Sequence, residues 1–341
     1  MKEQTQNKKR LPNGAKLALL GAALIAGILV SLSLGRYPIS IKELLGILAS
    51  RVFDIEQFWS DRMATVFLNV RLPRVLVACM VGGCLAVAGA SYQGIFRNPM
   101  AAPDVLGAST GAAFGAALAL ILRLGKAQVT LFAFVFSILC VTLVMFTSTK
   151  AKGSAVLSLV LCGIMISSLF QAATSFLKTV ADPTDQLPAI TYWLMGSLSG
   201  VTMKDVGFML VPMLIGLVPI FLLRWRINIL TMDEDEARTL GINTKADRAI
   251  VIICATLVTA ASVSVSGMIG WVGLVIPHLC RRLVGSDFRS LIPASALGGA
   301  LFLLLVDDIS RNAMVTEIPI GVLTAFVGAP FFIWLLSAKE G

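Results

Sequence analysis

The chain has 341 residues, of which 57% are hydrophobic and 14% charged, and its net charge is +9. Soluble domains carry roughly 25% charged residues, so this composition excludes a soluble globule and points to residence in a membrane. The positive balance fits inner loops facing anionic lipid headgroups; with no basic soluble domain to carry a patch, it excludes nucleic-acid binding.

Lys8, Lys9, Arg10 and Lys16 precede an apolar run at 17–35. Ser31, Leu32 and Ser33 loosely resemble a signal-cleavage site, but a signal core spans only about 7–15 residues. The run is long enough to span. It reads as a retained first crossing after a cytoplasmic tail at 1–16. Further runs able to cross about 30 Å of hydrocarbon at about 1.5 Å per residue lie at 72–95, 104–122, 129–148, 154–178, 205–223, 249–266, 268–284, 291–311 and 319–337. Ten crossings place both termini on one side of a single all-α membrane domain at 17–338. More lysines and arginines fall on the side holding the N-terminus than on the other, so that side is the cytoplasmic one.

The connection 36–70 contains an amphipathic segment at 41–53, and the connection 179–204 places Tyr192 and Trp193 where interfacial aromatics belong. Arg71 and Arg74 begin the second crossing at the outer face, where a cation opposes the helix dipole and so points to a role of its own. Pro99 in FRNP stops that crossing at the inner face, and Asn98 can cap the turn or line a pore. The crossing at 154–178 carries a mildly polar face with Ser158, Met165, Ser168 and Thr174.

The polar connection 224–248 runs from an apolar part into the acids at 233–236 and then ARTLG. Asp233 is placed to cap a helix whose first turn is rich in carboxylates, and Gly241 is a natural residue to end it. Two short helices joined by a turn are predicted. Gly267, Gly270 and Gly273 imply close backbone approach, and Pro277 implies a kink. His278 is the only histidine; a haem ligand, a proton site and a structural hydrogen-bonding role are open to it, the last preferred. Asp307 and Arg311, four apart, can pair along one helix, with Asp308 an extra carboxylate beside them. The six cysteines lie in apolar segments without a CxxC pair and read as packing residues. No Walker motif, activated nucleophile or metal cluster is present, so neither a cofactor nor enzymatic activity is expected.

RLPR at 71–74, FRNP at 96–99, ARTLG at 237–241, GLVIPH at 273–278, SDFRSLIPASAL at 286–297, DDISR at 307–311 and EIPIGVLTAFVGAPFF at 317–332 occur in this order over most of the chain. In these motifs the sequence resembles the FecCD-type permeases of ABC importers for iron-siderophores, haem and vitamin B12. The resemblance implies a type II ABC importer permease fold, dimeric with an identical chain or a paralogue around a central pathway. It implies two ATPase subunits on the cytoplasmic side and an extracytoplasmic substrate-binding protein on the other. Residues 72–178 and 249–337 would form an inverted repeat.

The family's coupling element falls on Asp233, Glu234, Glu236, Ala237, Arg238, Leu240 and Gly241, its acids calling for a basic ATPase groove. Its docking arginines, which receive binding-protein carboxylates, match Arg71, Arg74 and Arg311, and these are expected to form one external cationic surface. Its inner gate matches Asn98 and Met100. The pathway wall falls on Ser158, Met165 and Ser168. The implied cargo is an iron-siderophore, with haem or cobalamin as alternatives, carried across the plasma or inner membrane. An ion-coupled secondary transporter would need carboxylates buried mid-membrane, and an intramembrane enzyme would need a reactive constellation. Carboxylates confined to loops and helix ends favour neither.

Overall fold

In hydrocarbon a chain can satisfy its backbone N–H and C=O groups only by bonding them to one another, which makes helices of the apolar runs. The computed structural model describes residues 11–337 apart from 36, 38, 52, 55, 152, 153 and 233, and the regular elements among them are all helical. They are α1 (Asn13–Ser33), α2 (Ile41–Ala49), α3 (Asp61–Val66), α4 (Leu72–Ile95), α5 (Ala108–Ile121), α6 (Lys126–Lys150) and α7 (Ala155–Val180). There follow α8 (Gln186–Met195), α9 (Met203–Leu230), α10 (Glu234–Thr239), α11 (Thr244–Ser266), α12 (Val272–Val284), α13 (Phe288–Asn312) and α14 (Ile320–Ser337). Each predicted crossing coincides with one of them. Seven described helical segments are long and apolar enough to cross a membrane.

Two of the predicted crossings are broken rather than continuous. α5 has 14 residues and α12 has 13, reaching about 20 Å each, short of about 30 Å. A 3-10 turn (Pro103–Leu106) leads into α5 through Gly107 at φ 78°, and a non-helical stretch at 267–271 leads into α12 through Gly267 and Trp271, both at φ 69°. These left-handed residues end the regular hydrogen-bond ladder, which apolarity alone does not reveal. The two lead-ins meet: both line one small cavity of about 100 Å³.

Backbone proximity holds α4 to α12 and α13. A Cβ on Gly82 of α4 would stand 2.2 Å from the Gly299 carbonyl oxygen of α13, and one on Gly299 would stand 2.2 Å from that of Gly82. One on Gly89 would stand 1.8 Å from the Gly273 oxygen. Small residues thus let α4 cross both α12 and α13, where packing rather than the hydrophobic effect drives association.

The hydrogen bonds sort the helix ends into two sets. At one end, Asn13 of α1 reaches Val284 of α12, and Asn228 of α9 reaches Asp287 before α13. At the other, Ser31 of α1 reaches Asp308 of α13, and Lys126 of α6 reaches Asp205 of α9. We call the first the inner end and the second the outer end, following the charge assignment. On the outer side α2 forms behind a capping box of Ser40 and Glu43, while α8 contains Tyr192 and Trp193.

Two local predictions are corrected. Arg71 and Arg74 do not start a helix: α3, a π-turn (Phe67–Arg71) and α4 form one rod, Asp61–Ile95. Pro73 has no N–H to donate back up the helix, and the widened turn precedes it. The connection 224–248 is also shorter than predicted. α9 continues to Leu230 and α11 starts at Thr244, leaving α10 as its short helix.

Candidate functional site

The outer end brings together the three arginines singled out in the sequence, but buries them. Arg71, Arg74 and Arg311 are 4%, 7% and 9% exposed, so the expected external cationic surface is corrected to an internal network. Arg74 of α4 donates to Asp307 of α13 at 2.9–3.1 Å and to Glu317 at 2.8 and 2.9 Å. Arg311 holds Asp308 and the Ser31 carbonyl and hydroxyl. Its distance to Asp307 is 4.0 Å, so the i,i+4 pair expected from sequence is secondary. Asp307 has turned to α4, and the adjacent acid Asp308 takes its place.

Arg71 differs from the other two. Its guanidinium donates to the carbonyls of Leu32, Ser33 and Tyr37, closing the outer end of α1. Among the described residues it has no carboxylate partner. The arginines of this cluster are matched in number by Asp307, Asp308 and Glu317, so its formal charge is zero. Asp307 and Asp308 are buried carboxylates, which the sequence placed at a helix end, and cations compensate both.

At the inner end the FRNP turn meets the connection after α9. Arg97, at φ 49°, donates to the carbonyls of Leu230 and Met232. The Leu230 carbonyl is the last acceptor of α9 and Met232 lies just beyond the cap, where a cation suits the helix dipole. Asn98 and Met100 are exposed on the same turn. The Asn98 Oδ1 accepts the Met100 N–H at 2.9 Å, so Asn98 caps its own turn. α9 is further tied to α11 by Arg226–Asp247 at 3.1 Å. Asn228 donates to Asp287 at 2.8 Å and accepts the Phe288 N–H at 3.0 Å. The Arg289 N–H, with the Asn228 amide, holds the Asp287 carboxyl below the usual carboxylate range.

α10 packs against α9 and α11 beside these contacts. Ala237 is buried, while Glu236 and Leu240 are exposed, and Gly241 has φ 75° with open space around its Cα. Asp233 lies outside the described residues, as do the side chains of Glu234 and Arg238. The sequence singled out neither Arg97 nor Asn228. Arg97 stood inside a quoted motif, but its partners 133 and 135 residues away could not be read from spacing.

α7 leaves a long face open. Met165 and Ser168 lie on it with Leu161, Ile164, Leu169 and Phe176. The predicted face is corrected at two positions, since Ser158 and Thr174 are buried. At its inner half α7 presses on the 3-10 turn, where a Cβ on Gly163 would stand 2.4 Å from the Val105 oxygen. Hydroxyls on the open and covered faces alike bond back to their own helix, as Ser168 does to Ile164 and Thr174 to Phe170. A second cavity, of about 700 Å³, lies between α8, the stretch before α12, and α14.

Among the described residues His278 does not find the hydrogen bond expected of it: its Nε2 is buried without a partner there, and the ring packs edge-on to Phe331 at 6.1 Å. The cysteines are free, and among the described residues no cluster of His, Cys, Asp or Glu could hold a metal.

The FecCD transport family pattern matches residues 23–338. The molybdate import permease MolB of Haemophilus influenzae is 38% identical over 97% of this chain and 98% of its own length. The cobalamin import permease BtuC of Halobacterium salinarum is 39% identical over 83% of this chain and 77% of its own. A solved inward-facing ABC transporter of metal-chelate type superposes with a TM-score of 0.86 at 37% identity, covering 95% of this chain and 99% of that one.

Proposed function

The chain belongs to the FecCD transport family of ABC importer permeases, and we propose that its cargo is an iron–siderophore complex, with haem or cobalamin as alternatives carried by the same mechanism. The fold is that of a type II importer permease, multi-pass in the membrane. In this family the permease transports, and ATP hydrolysis belongs to separate ATPase subunits.

The observation that carries the cargo reading is the open wall of α7. No charged residue occurs from 155 to 177, and its exposed groups are apolar or uncharged. Such a wall suits a bulky ligand that already surrounds its metal and masks its charge. A small bare oxyanion would call for cations or aligned N–H donors along its route. The test is uptake into proteoliposomes holding the permease, its ATPase and its binding protein. ATP-dependent accumulation of ferric siderophore supports the reading. Accumulation of molybdate without siderophore would replace it.

The assembly we propose places a second copy or a paralogue against the exposed faces of α7 and α14, around the pathway. Two ATPase subunits take up Glu234 to Gly241, with Asp233 beside them, at the cytoplasmic face, where both termini lie. Movement there reaches the gate residues Asn98 and Met100 through Arg97. The binding protein docks at the outer end, where Arg71, buried with the other two, is the arginine that no carboxylate pairs among the described residues. No observation favours an ion-coupled transporter, because arginines neutralise the buried Asp307 and Asp308.

A further inference from the structure

A cavity of about 680 Å³ opens at the inner end, between the first turn of α1 and the last turn of α12. Lys16, Arg281 and Arg282 line it, and among the described residues no acidic one does. The cations are held in place. Lys16 Nζ donates to the Leu283 carbonyl at 2.6 Å, which leaves further N–H groups of its ammonium for another acceptor. Arg281 donates to Gln93 Oε1 at 3.0 Å. The Arg282 guanidinium stands 5.2 Å from the centre of the Trp334 ring and is otherwise exposed.

The surroundings of the cavity are apolar. Leu19 of α1, Leu279 and Leu283 of α12 and Trp334 of α14 are exposed. Lys8, Lys9 and Arg10 immediately precede in the sequence. A cationic recess at a helix end, with an exposed apolar strip behind it and an indole at its edge, has the form of a site for a molecule with an anionic head and hydrocarbon tails.

We propose that this cavity binds the phosphate headgroup of an anionic phospholipid, with Lys16 and Arg282 on the phosphate and the acyl chains along Leu279, Leu283 and Trp334. Arg281 orients the recess through Gln93 of α4. Gln93 also faces the Gly273 and Leu274 carbonyls at 3.5 and 3.4 Å, so an occupied site bears on the packing of α12 against α4. The inference is independent of the cargo.

The test uses the full chain purified in detergent, with phosphatidylglycerol, phosphatidylcholine or inorganic phosphate added. Retained lipid is counted by native mass spectrometry and the unfolding temperature is recorded. Phosphatidylglycerol is expected to be retained in preference to phosphatidylcholine and to raise the unfolding temperature more. Each cation removed should lower that preference roughly fivefold, so Arg282→Gln should reduce it and Lys16→Gln with Arg282→Gln should abolish it. Arg282→Lys should preserve it. Because Arg282 is exposed, its single variants test the site even where the double variant fails to fold. Equal retention of the two lipids, or a preference unchanged by Arg282→Gln, overturns the proposal. Stabilisation by inorganic phosphate that matches phosphatidylglycerol overturns the lipid assignment in favour of a free anion.

Discussion

Arg74 and Asp307, 233 residues apart, form a buried ion pair at 2.9 Å that joins the outer ends of α4 and α13. A charge left alone in such a place costs about 3–5 kcal/mol, whereas replacing both partners with apolar groups is often neutral or stabilising. Asp307→Ala should therefore lower stability, by less than about 3 kcal/mol because Arg74 keeps Glu317. Arg74→Leu combined with Asp307→Leu should cost clearly less, although Glu317 then loses its partner. Unfolding in detergent of the single and double variants measures this. Equal losses in both would remove the pair from its stabilising role.

Gly82 and Gly299 make a second tie between the same helices. A methyl on Gly82 would meet backbone at 2.2 Å, which no side-chain rotation relieves. Overpacking typically costs about 1–3 kcal/mol, and Gly82→Ala should fall at or above the top of that range. Gly14, with open space around it, is the control: Gly14→Ala should be neutral or slightly stabilising through helix propensity. Thermal unfolding of both variants, side by side, decides it.

Hydropathy made the ten helices legible, because crossing a bilayer sets a minimum apolar length. Runs at 104–122 and 268–284 were equally apolar, yet each begins outside α-helix. Their breaks depend on left-handed conformations at Gly107, Gly267 and Trp271, and apolarity carries no sign of φ. The motif arginines were legible as a set. Their burial was not, because it depends on carboxylates and carbonyls of α1 and α13 supplied by distant sequence. The extra acid beside Asp307, Asp308, proved to be the partner of Arg311. Gly241 was legible because its chemistry is local: it ends α10 with positive φ, as a helix-terminating glycine does.

Arg97 links the turn carrying Asn98 and Met100 to the end of α9, just ahead of α10. If movement of α10 reaches the gate through this contact, Arg97→Ala should leave basal ATP hydrolysis of the assembled complex nearly unchanged. Stimulation by loaded binding protein, and uptake, should fall severalfold. Gly241→Val should produce the same separation by another route, since a β-branched residue at φ 75° is strained in open space. ATPase and uptake assays on the same preparations measure it. Full stimulation in Arg97→Ala would show that the gate is driven through another contact.

Arg71 is the arginine on which docking should now be tested. Arg74 and Arg311 already hold carboxylates, while among the described residues Arg71 holds the carbonyls that end α1 and begin the next connection and no carboxylate. Carbonyl dipoles orient a guanidinium without cancelling its charge. Arg71 is 4% exposed, so a carboxylate from the binding protein reaches it only where docking uncovers the outer end of α1, and there it would gain more at Arg71 than at either neighbour. Arg71→Gln removes the charge and keeps N–H donors for the carbonyls, so it separates charge from packing better than reversal to Glu would. Partly desolvated interface pairs exceed the 0.2–1 kcal/mol or so of exposed ones. Association should weaken by about 1–2 kcal/mol, roughly five- to thirtyfold in Kd. The difference between wild type and variant should shrink as salt screens the attraction. The unfolding temperature of Arg71→Gln should move less than that of Arg74→Gln, which leaves two carboxylates behind. Titration of binding protein onto the reconstituted permease at low and high salt supplies the measurement. Unchanged association at low salt, together with lost stability, would make Arg71 a structural clamp on α1 and nothing more.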